Sequence, residues 1–193
     1  MTSNDDIKQA AFRLFATRGY QCTSMQDIAQ AVGLKKQSLY SHFSGKQELY
    51  EIIQQEQTRH IMSELLIAVD RLENETTEKL LKGVFKCLID IFQCKERLLL
   101  WKRSFIIHGE SEVPAMMAKP GWHFDEKLRN RLYAIISSKH AQLFDHERFH
   151  SFFLSYMLSI QGYFDWMIVK GHDESILEAF WNNIWNGINQ FIN

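Results

Sequence analysis

The sequence predicts an all-α protein of about nine helices, in which a three-helix N-terminal domain (1–48) precedes a larger helical domain (49–193). Three observations carry this expectation. Only two prolines occur, Pro114 and Pro120, both in GESEVPAMMAKPG (109–121), so the strongest helix breaker is missing elsewhere. No segment between turns alternates apolar and polar residues as a half-buried strand must. Gly19, Gly33 and Gly45 divide residues 1–50 into short pieces, each with a helix-start signal.

The first helix opens near Ser3 or Asn4 and sets Ile7, Ala11, Leu14 and Phe15 on one face. A second opens at Thr23, with Gln26 three residues on as a capping box, and buries Met25, Ile28, Ala29 and Val32. After the turn at Gly33 comes a short third helix in VGLKKQSLYSHF (32–43), which keeps Leu39 and Phe43 for its core. A fourth starts at Ser44, with Gln47 in the box position, and runs to about Asp70. Helix, glycine turn and short helix make a helix-turn-helix. Further helices are expected at roughly 76–93, 95–108, 122–140, 146–170 and 173–192.

Net charge over the whole chain is −1, which excludes a uniformly basic coat for nucleic acid. The distribution is uneven. Residues 1–50 hold Lys8, Arg13, Arg18, Lys35, Lys36 and Lys46 against Asp5, Asp6, Asp27 and Glu48, and no carboxylate falls between Ile28 and Gln47. Cys22, Cys87 and Cys94 have no zinc-like spacing, and no secretion signal or membrane-length apolar run is visible, so a cytoplasmic chain with reduced thiols and no cofactor is expected.

The polar side of the third helix is made of hydrogen-bond donors. Lys35, Lys36, Lys46 and His42 offer charge or donors to phosphates, and Ser38 and Tyr40 offer hydroxyls; such contacts set register without reading sequence. Gln37 is the candidate base reader, because an amide pairs bidentately with adenine in the major groove. Thr23 and Ser24, at the start of the second helix, add backbone N–H groups suited to a further phosphate. A solvated basic helix with no partner is the alternative. The capped helix and glycine turn before it favour DNA.

AAFRLFATRGYQCTSMQDIAQAVGLKKQSLYSHFSGKQELY (10–50) resembles the N-terminal module of the TetR family of bacterial transcriptional regulators. A-x-x-L-F-x-x-x-G-Y, T-S-x-x-x-I-A, the glycine turn, L-Y-x-H-F and K-x-E-L follow one another without gaps. The resemblance implies that Lys36, Gln37 and Ser38 face the groove, that Tyr40, His42 and Lys46 hold phosphates, and that Thr23 and Ser24 meet the flanking backbone. Two positions depart from the family pattern. Lys35 stands where a small capping residue is usual, so the recognition helix should be poorly capped, and Gln37 stands where glycine or another small residue is common.

For the rest of the chain the resemblance implies a ligand-binding and dimerisation domain, with a small-molecule effector that changes the spacing of two recognition helices on a palindromic operator. Such an effector works only by binding the two conformations with different affinity. Trp101, Phe105, Trp122, Phe124, Tyr133, Phe153, Tyr156 and Phe164 are candidates to line an apolar cavity, with Met116 and Met117 as an adaptable flap. His108, His123 and Gln161 are polar candidates to orient a hydrophobic or aromatic ligand, and Glu110 and Glu112 would suit a cationic one. Each has a plain core or surface reading beside it.

The apolar stripe of the last helix (Leu177, Phe180, Trp181, Ile184, Trp185, Ile188, Phe191, Ile192) is too wide for one neighbour. Ser155, Ser159 and Gly162 form a small-residue seam on the helix before it. A homodimer through an isologous four-helix bundle is therefore expected, with Ser155, Ser159, Gly162, Trp181, Ile184, Trp185 and Ile188 at the interface. Alternatively, both helices complete the intrachain core.

Three rival readings remain open. HERFH (146–150) matches H-E-x-x-H, in which His146 and His150 bind zinc and Glu147 is the base, with Glu174 or Glu178 as third ligand. Arg148 and the position at a helix start speak against that hydrolase. Cys87 and Cys94, seven apart, would permit thiol redox control, with Lys86 and Lys95 beside them. A DNA binder governed by a protein partner instead of a small molecule fits the same helices. No enzyme activity is the expectation.

Overall fold

The computed structural model describes residues 3–106, 126–140 and 145–191, without the side chains of Phe105, Ile106 and Phe191. Its described residues are helical and contain no strand. The helices are α1 (Asn4–Arg18), α2 (Met25–Ala31), α3 (Lys36–Leu39), α4 (Lys46–Leu72), α5 (Thr77–Phe92), α6 (Lys95–Ile106), α7 (Glu126–Lys139), α8 (His146–Lys170) and α9 (Glu174–Ile188). A 3₁₀ turn, Asn189–Phe191, follows α9.

Two compact units emerge, and neither coincides with the expected domains. The first takes Met1–His60 together with Cys94–His123, and the second Ile61–Gln93 together with Phe124–Asn193. The boundary expected at residues 48 and 49 falls inside α4, whose hydrogen-bonded ladder runs unbroken past it. Nor does the first unit consist of its N-terminal helices alone, because α6 packs along α1.

In the first unit, Ile7, Ala11, Phe15, Ile28, Ala29, Leu39, Leu49 and Leu100 are fully or almost fully buried together. Phe43 joins them, so both expected core residues of the third helix are in place. Phe15, Tyr20 and Tyr50 interlock, with Phe15–Tyr50 and Tyr20–Tyr50 meeting edge to face at 5.1 and 5.0 Å. Helix α1 begins in a complete capping box: the Ser3 hydroxyl accepts from the Asp6 amide while Asp6 accepts from the Ser3 amide.

In the second unit, α5 presents Leu80, Leu81, Val84, Phe85, Leu88, Ile89 and Phe92 to the core. Gly83 allows the close approach here, because a Cβ at that position would meet Leu72 Cδ1 at 2.1 Å. Tyr156, wholly buried on α8, donates its hydroxyl to the Leu81 carbonyl at 2.6 Å, so burial leaves no polar group unsatisfied at that point. Phe85 stacks on Trp181 of α9 at 5.9 Å. Outside this core, Lys82 and Lys86 of α5 pair with Glu178 and Glu174 of α9.

Candidate nucleic-acid interface

The helix-turn-helix is built by local hydrogen bonds. Ser24, not Thr23, caps α2: its hydroxyl accepts from the Asp27 amide and the Asp27 carboxylate accepts from the Ser24 amide at 2.8 Å. Asp27 thus takes the box position expected of Gln26. A carboxylate there also suits the positive end of the helix dipole, and the hydrogen bonds from Ser24 hold it below the usual carboxylate range. Thr23 turns inward instead, buried, with its hydroxyl donating to the Gly19 carbonyl at 2.8 Å.

Helix α2 ends in a Schellman motif. The Leu34 amide bonds the Ala29 carbonyl at 2.9 Å and the Gly33 amide bonds the Gln30 carbonyl at 3.2 Å. Gly33 sits at φ +70°, a backbone setting costly for a residue with a Cβ, and this sets the sharp angle into α3. Helix α3 is a single turn, extended by the Phe43-to-Leu39 backbone bond at 3.1 Å. Its cap position, Lys35, makes no side-chain capping bond, as its long ammonium side chain carries no acceptor. At the start of α4 the Ser44 amide goes to Glu48, one residue beyond the expected Gln47, whose amide reaches Glu51 instead.

Leu39 anchors α3 from behind with no exposed surface. Lys35, Lys36, Gln37, Ser38, Tyr40 and His42 are all exposed on the same short segment. Lys36 Nζ stands 6.0 Å over the Tyr40 ring, and His42 Nδ1 lies 2.5 Å from Asn4 Oδ1 on α1. The remaining candidates are already engaged. Lys46 Nζ donates to the Tyr20 carbonyl at 2.9 Å and sits 4.2 Å from the centre of the Tyr20 ring. Partial burial of that ammonium pushes its pKa down. The Thr23 amide bonds the Tyr20 carbonyl, and the Ser24 amide is held by Asp27. Charge and spacing alone could not show that Lys46 would be spent on the α1–α2 turn, because its partner is a backbone carbonyl 26 residues away.

The candidate ligand residues fall into different places. Trp101 and Phe105 belong to α6 of the first unit, while Tyr133, Phe153, Tyr156, Gln161 and Phe164 belong to the second. Phe153, Tyr156 and Phe164 are buried, Phe164 edge-on to Phe92 at 4.8 Å. Tyr133 stacks on His146 at 4.2 Å and meets Phe149 edge to face at 5.1 Å. Phe149, absent from the expected set, sits one turn before Phe153 on the same face of α8, a helical spacing already present in the sequence. His108, Met116, Met117, Trp122, His123 and Phe124 lie outside the described residues, as do Glu110 and Glu112.

Several of the expected dimer residues are engaged within the single chain. Trp181, Ile184 and Ile188 are buried within the single chain. The Ser155 and Ser159 hydroxyls donate to carbonyls one turn back, at 2.9 and 2.8 Å. A Cβ on Gly162 would meet Phe180 at 3.7 Å, so that end of the small-residue seam lies against α9 of the same chain. Apolar surface left in the open is elsewhere: Leu154, Leu158, Trp166 and Val169 on α8, and Ile176 on α9.

Of the rival sites, HERFH forms the first turn of α8, behind the cap Asp145. Glu174 and Glu178, its proposed third ligands, pair instead with Lys86 and Lys82. No group of three or more metal-binding side chains converges among the described residues. Burial, with Glu64 and Asp90 nearby, pushes the Cys87 thiol up to about 11, which makes it a poor nucleophile near neutral pH. No described helix is long and apolar enough to cross a membrane.

Residues 7–53 match the family described as bacterial regulatory proteins, tetR family. The IcaR protein of Staphylococcus epidermidis, a negative transcriptional regulator of the biofilm operon icaADBC, is 32% identical over 87 residues, 45% of this chain and 46% of its own. Its counterpart from Staphylococcus aureus is 47% identical over 47 residues, 24% of this chain and 25% of its own. The matched stretch thus spans less than half the length of these curated relatives. A TetR-family transcription regulator from Marinobacter aquaeolei shares the fold with a TM-score of 0.69 at 18% identity, over 96% of this chain and 97% of that one. The TetR-family regulator PfmR of Thermus thermophilus does so at 0.63 and 23% identity, over 95% and 96%. The motif blocks of residues 10–50 thus fold into the helix-turn-helix they announced, and residues 7–53 carry the module of the tetR family of bacterial regulatory proteins, followed among the described residues by helices that share the fold of these regulators.

Proposed function

We propose that this protein is a DNA-binding transcriptional repressor that works as a homodimer in the cytoplasm and is released from a palindromic operator by a hydrophobic or aromatic small molecule. The observation that carries the reading is the exposed face of α3. Six donor-bearing side chains, Lys35, Lys36, Gln37, Ser38, Tyr40 and His42, stand in the open on one turn and its extension, with no carboxylate between Ile28 and Gln47 to repel a phosphate. Gln37 reads a base edge, while Lys36, Tyr40 and His42 hold the backbone on either side. Lys35, released from capping, adds a further charge. That IcaR is a negative regulator supports the sign of control.

Dimerisation is assigned to the exposed stripe on α8. Leu154, Leu158, Trp166 and Val169 lie within about a third of the helix circumference at 3.6 residues per turn. An apolar stripe of this kind, beside a second helix carrying Ile176, suits a two-fold four-helix contact. The effector acts through the second unit, where Tyr133, Phe149 and Phe153 supply aromatic surface.

The test is binding of the purified protein to the DNA flanking its own gene, against mixed-sequence DNA, across a range of salt. A sequence-preferring complex whose affinity falls steeply with salt is expected. Absence of binding to any duplex at low salt would overturn the reading.

A further inference from the structure

His42 is exposed, yet its ring is not free to choose its tautomer. Nδ1 lies 2.5 Å from Oδ1 of Asn4, the first residue of α1. An amide oxygen only accepts, so Nδ1 must carry the hydrogen and donate it. A neutral imidazole carries one N–H; once Nδ1 holds it, Nε2 is a bare lone pair. Nε2 makes no hydrogen bond among the described residues. A lone pair facing a phosphate oxygen is repelled, and only a second proton at Nε2 turns it into a donor.

We propose that Asn4 is a positioning residue that holds His42 in its Nδ1–H form, so that engagement of a DNA phosphate by His42 requires uptake of one proton from solvent at Nε2. The inference rests on the DNA-binding reading above. The step is a simple protonation: neutral imidazole plus one proton gives an imidazolium with both nitrogens donating, Nδ1 to Asn4 and Nε2 to the phosphate.

Charged groups on the adjoining elements do not supply a competing partner. On α1, Lys8 is paired with both Asp5 and Glu56. On α4, Lys46 is turned onto Tyr20, and Glu48 takes the Ser44 amide. Asp6 is bound to Ser3. Lys35 and Lys36 on α3 are exposed and of the same sign as the imidazolium, Lys36 leaning over Tyr40. The imidazolium is therefore stabilised by the incoming phosphate and not by a carboxylate of the protein. Proton uptake on binding sets the sign: affinity rises as pH falls.

Two measurements on the full-length protein decide the matter. Nitrogen-15 chemical shifts of the histidine rings, assigned with His42→Gln, report which nitrogen bears the proton in the absence of DNA at alkaline pH. Nδ1–H is expected for wild type, reverting in Asn4→Ala to the Nε2–H form that free imidazole prefers. Fluorescence anisotropy with a labelled mixed-sequence duplex at low salt then gives affinity between about pH 6 and pH 8.5, a range chosen to span imidazole titration. Wild type should lose affinity with rising pH, approaching about tenfold per unit for one linked proton, and His42→Gln should flatten that dependence. Asn4→Ala should flatten it too and bind as well as or better than wild type at alkaline pH, because a neutral ring can now present Nε2–H. A merely structural role for Asn4 predicts weaker binding by Asn4→Ala at every pH, with the slope retained, and would overturn the proposal. So would an Nε2–H tautomer in wild type. Failure of wild type to bind the duplex at any pH would remove the DNA-binding reading and the proton linkage with it, while the tautomer result would still stand or fall by itself.

Discussion

Replacing Lys46 by alanine separates two roles that charge alone cannot distinguish. Its ammonium donates to the Tyr20 carbonyl at 2.9 Å and sits 4.2 Å from the Tyr20 ring centre, so it braces the turn from α1 into α2. A hydrogen bond from a charged donor contributes about 1.5–3 kcal/mol, and a cation over an aromatic face about 0.5–1 kcal/mol when partly exposed. Against this stand the desolvation that lowers the Lys46 pKa and the access of water to the Tyr20 carbonyl once the side chain is gone. A net loss of about 1–2 kcal/mol remains after those offsets. For a chain of this size that corresponds to a fall in Tm of roughly 2–8 °C. On DNA, Lys46→Ala should weaken binding modestly and leave the slope of log affinity against log salt nearly unchanged, since no phosphate charge is lost. Lys36→Ala is the contrast: little change in Tm, and a slope reduced by about one unit. Differential scanning calorimetry and salt-dependent anisotropy on both variants complete the test. A slope reduced by about one unit in Lys46→Ala with an unchanged Tm would show that the ammonium serves DNA and not the turn, and would refute the reasoning.

Gln37→Ala should cost about 1–3 kcal/mol at one base pair of a specific site and relax preference there, while binding to mixed-sequence DNA stays level; equal losses on both would deny Gln37 a base contact. Leu158→Glu, at the centre of the exposed α8 stripe, should shift sedimentation from dimer to monomer and lower operator affinity, with Tm measured alongside to register any damage to the fold. Because burial raises the Cys87 thiol to about 11, iodoacetamide should label the exposed Cys22 of the native protein near neutral pH and reach Cys87 only in strongly alkaline solution. Labelling of both at equal rates would reopen thiol control.

The positions of the helices were legible from local chemistry. Capping serines, glycine turns and the scarcity of proline act within a few residues, so α1, α2 and α4 each start within two residues of the expected place, and the Gly33 turn takes the Schellman form, while α3 closes at Leu39, short of Phe43. The buried anchors Leu39 and Phe43 were equally legible, because helical spacing alone assigns their face.

What the sequence by itself determined, then, is the secondary structure, the helix-turn-helix and the chemistry of its exposed face. Only the tertiary structure decided which polar side chains remain available. Lys46 and Tyr20, and likewise His42 and Asn4, are brought together from 26 and 38 residues apart, distances over which no periodicity operates. The same holds for α8 and α9. Their apolar residues announce two faces to be buried, but packing against α5 and against each other settled that Trp181, Ile184 and Ile188 go inward and left Leu158 and Trp166 in the open. Hydrophobicity is a property of the side chain and is written in the sequence; its burial depends on which surface arrives to cover it, and that is decided by the fold.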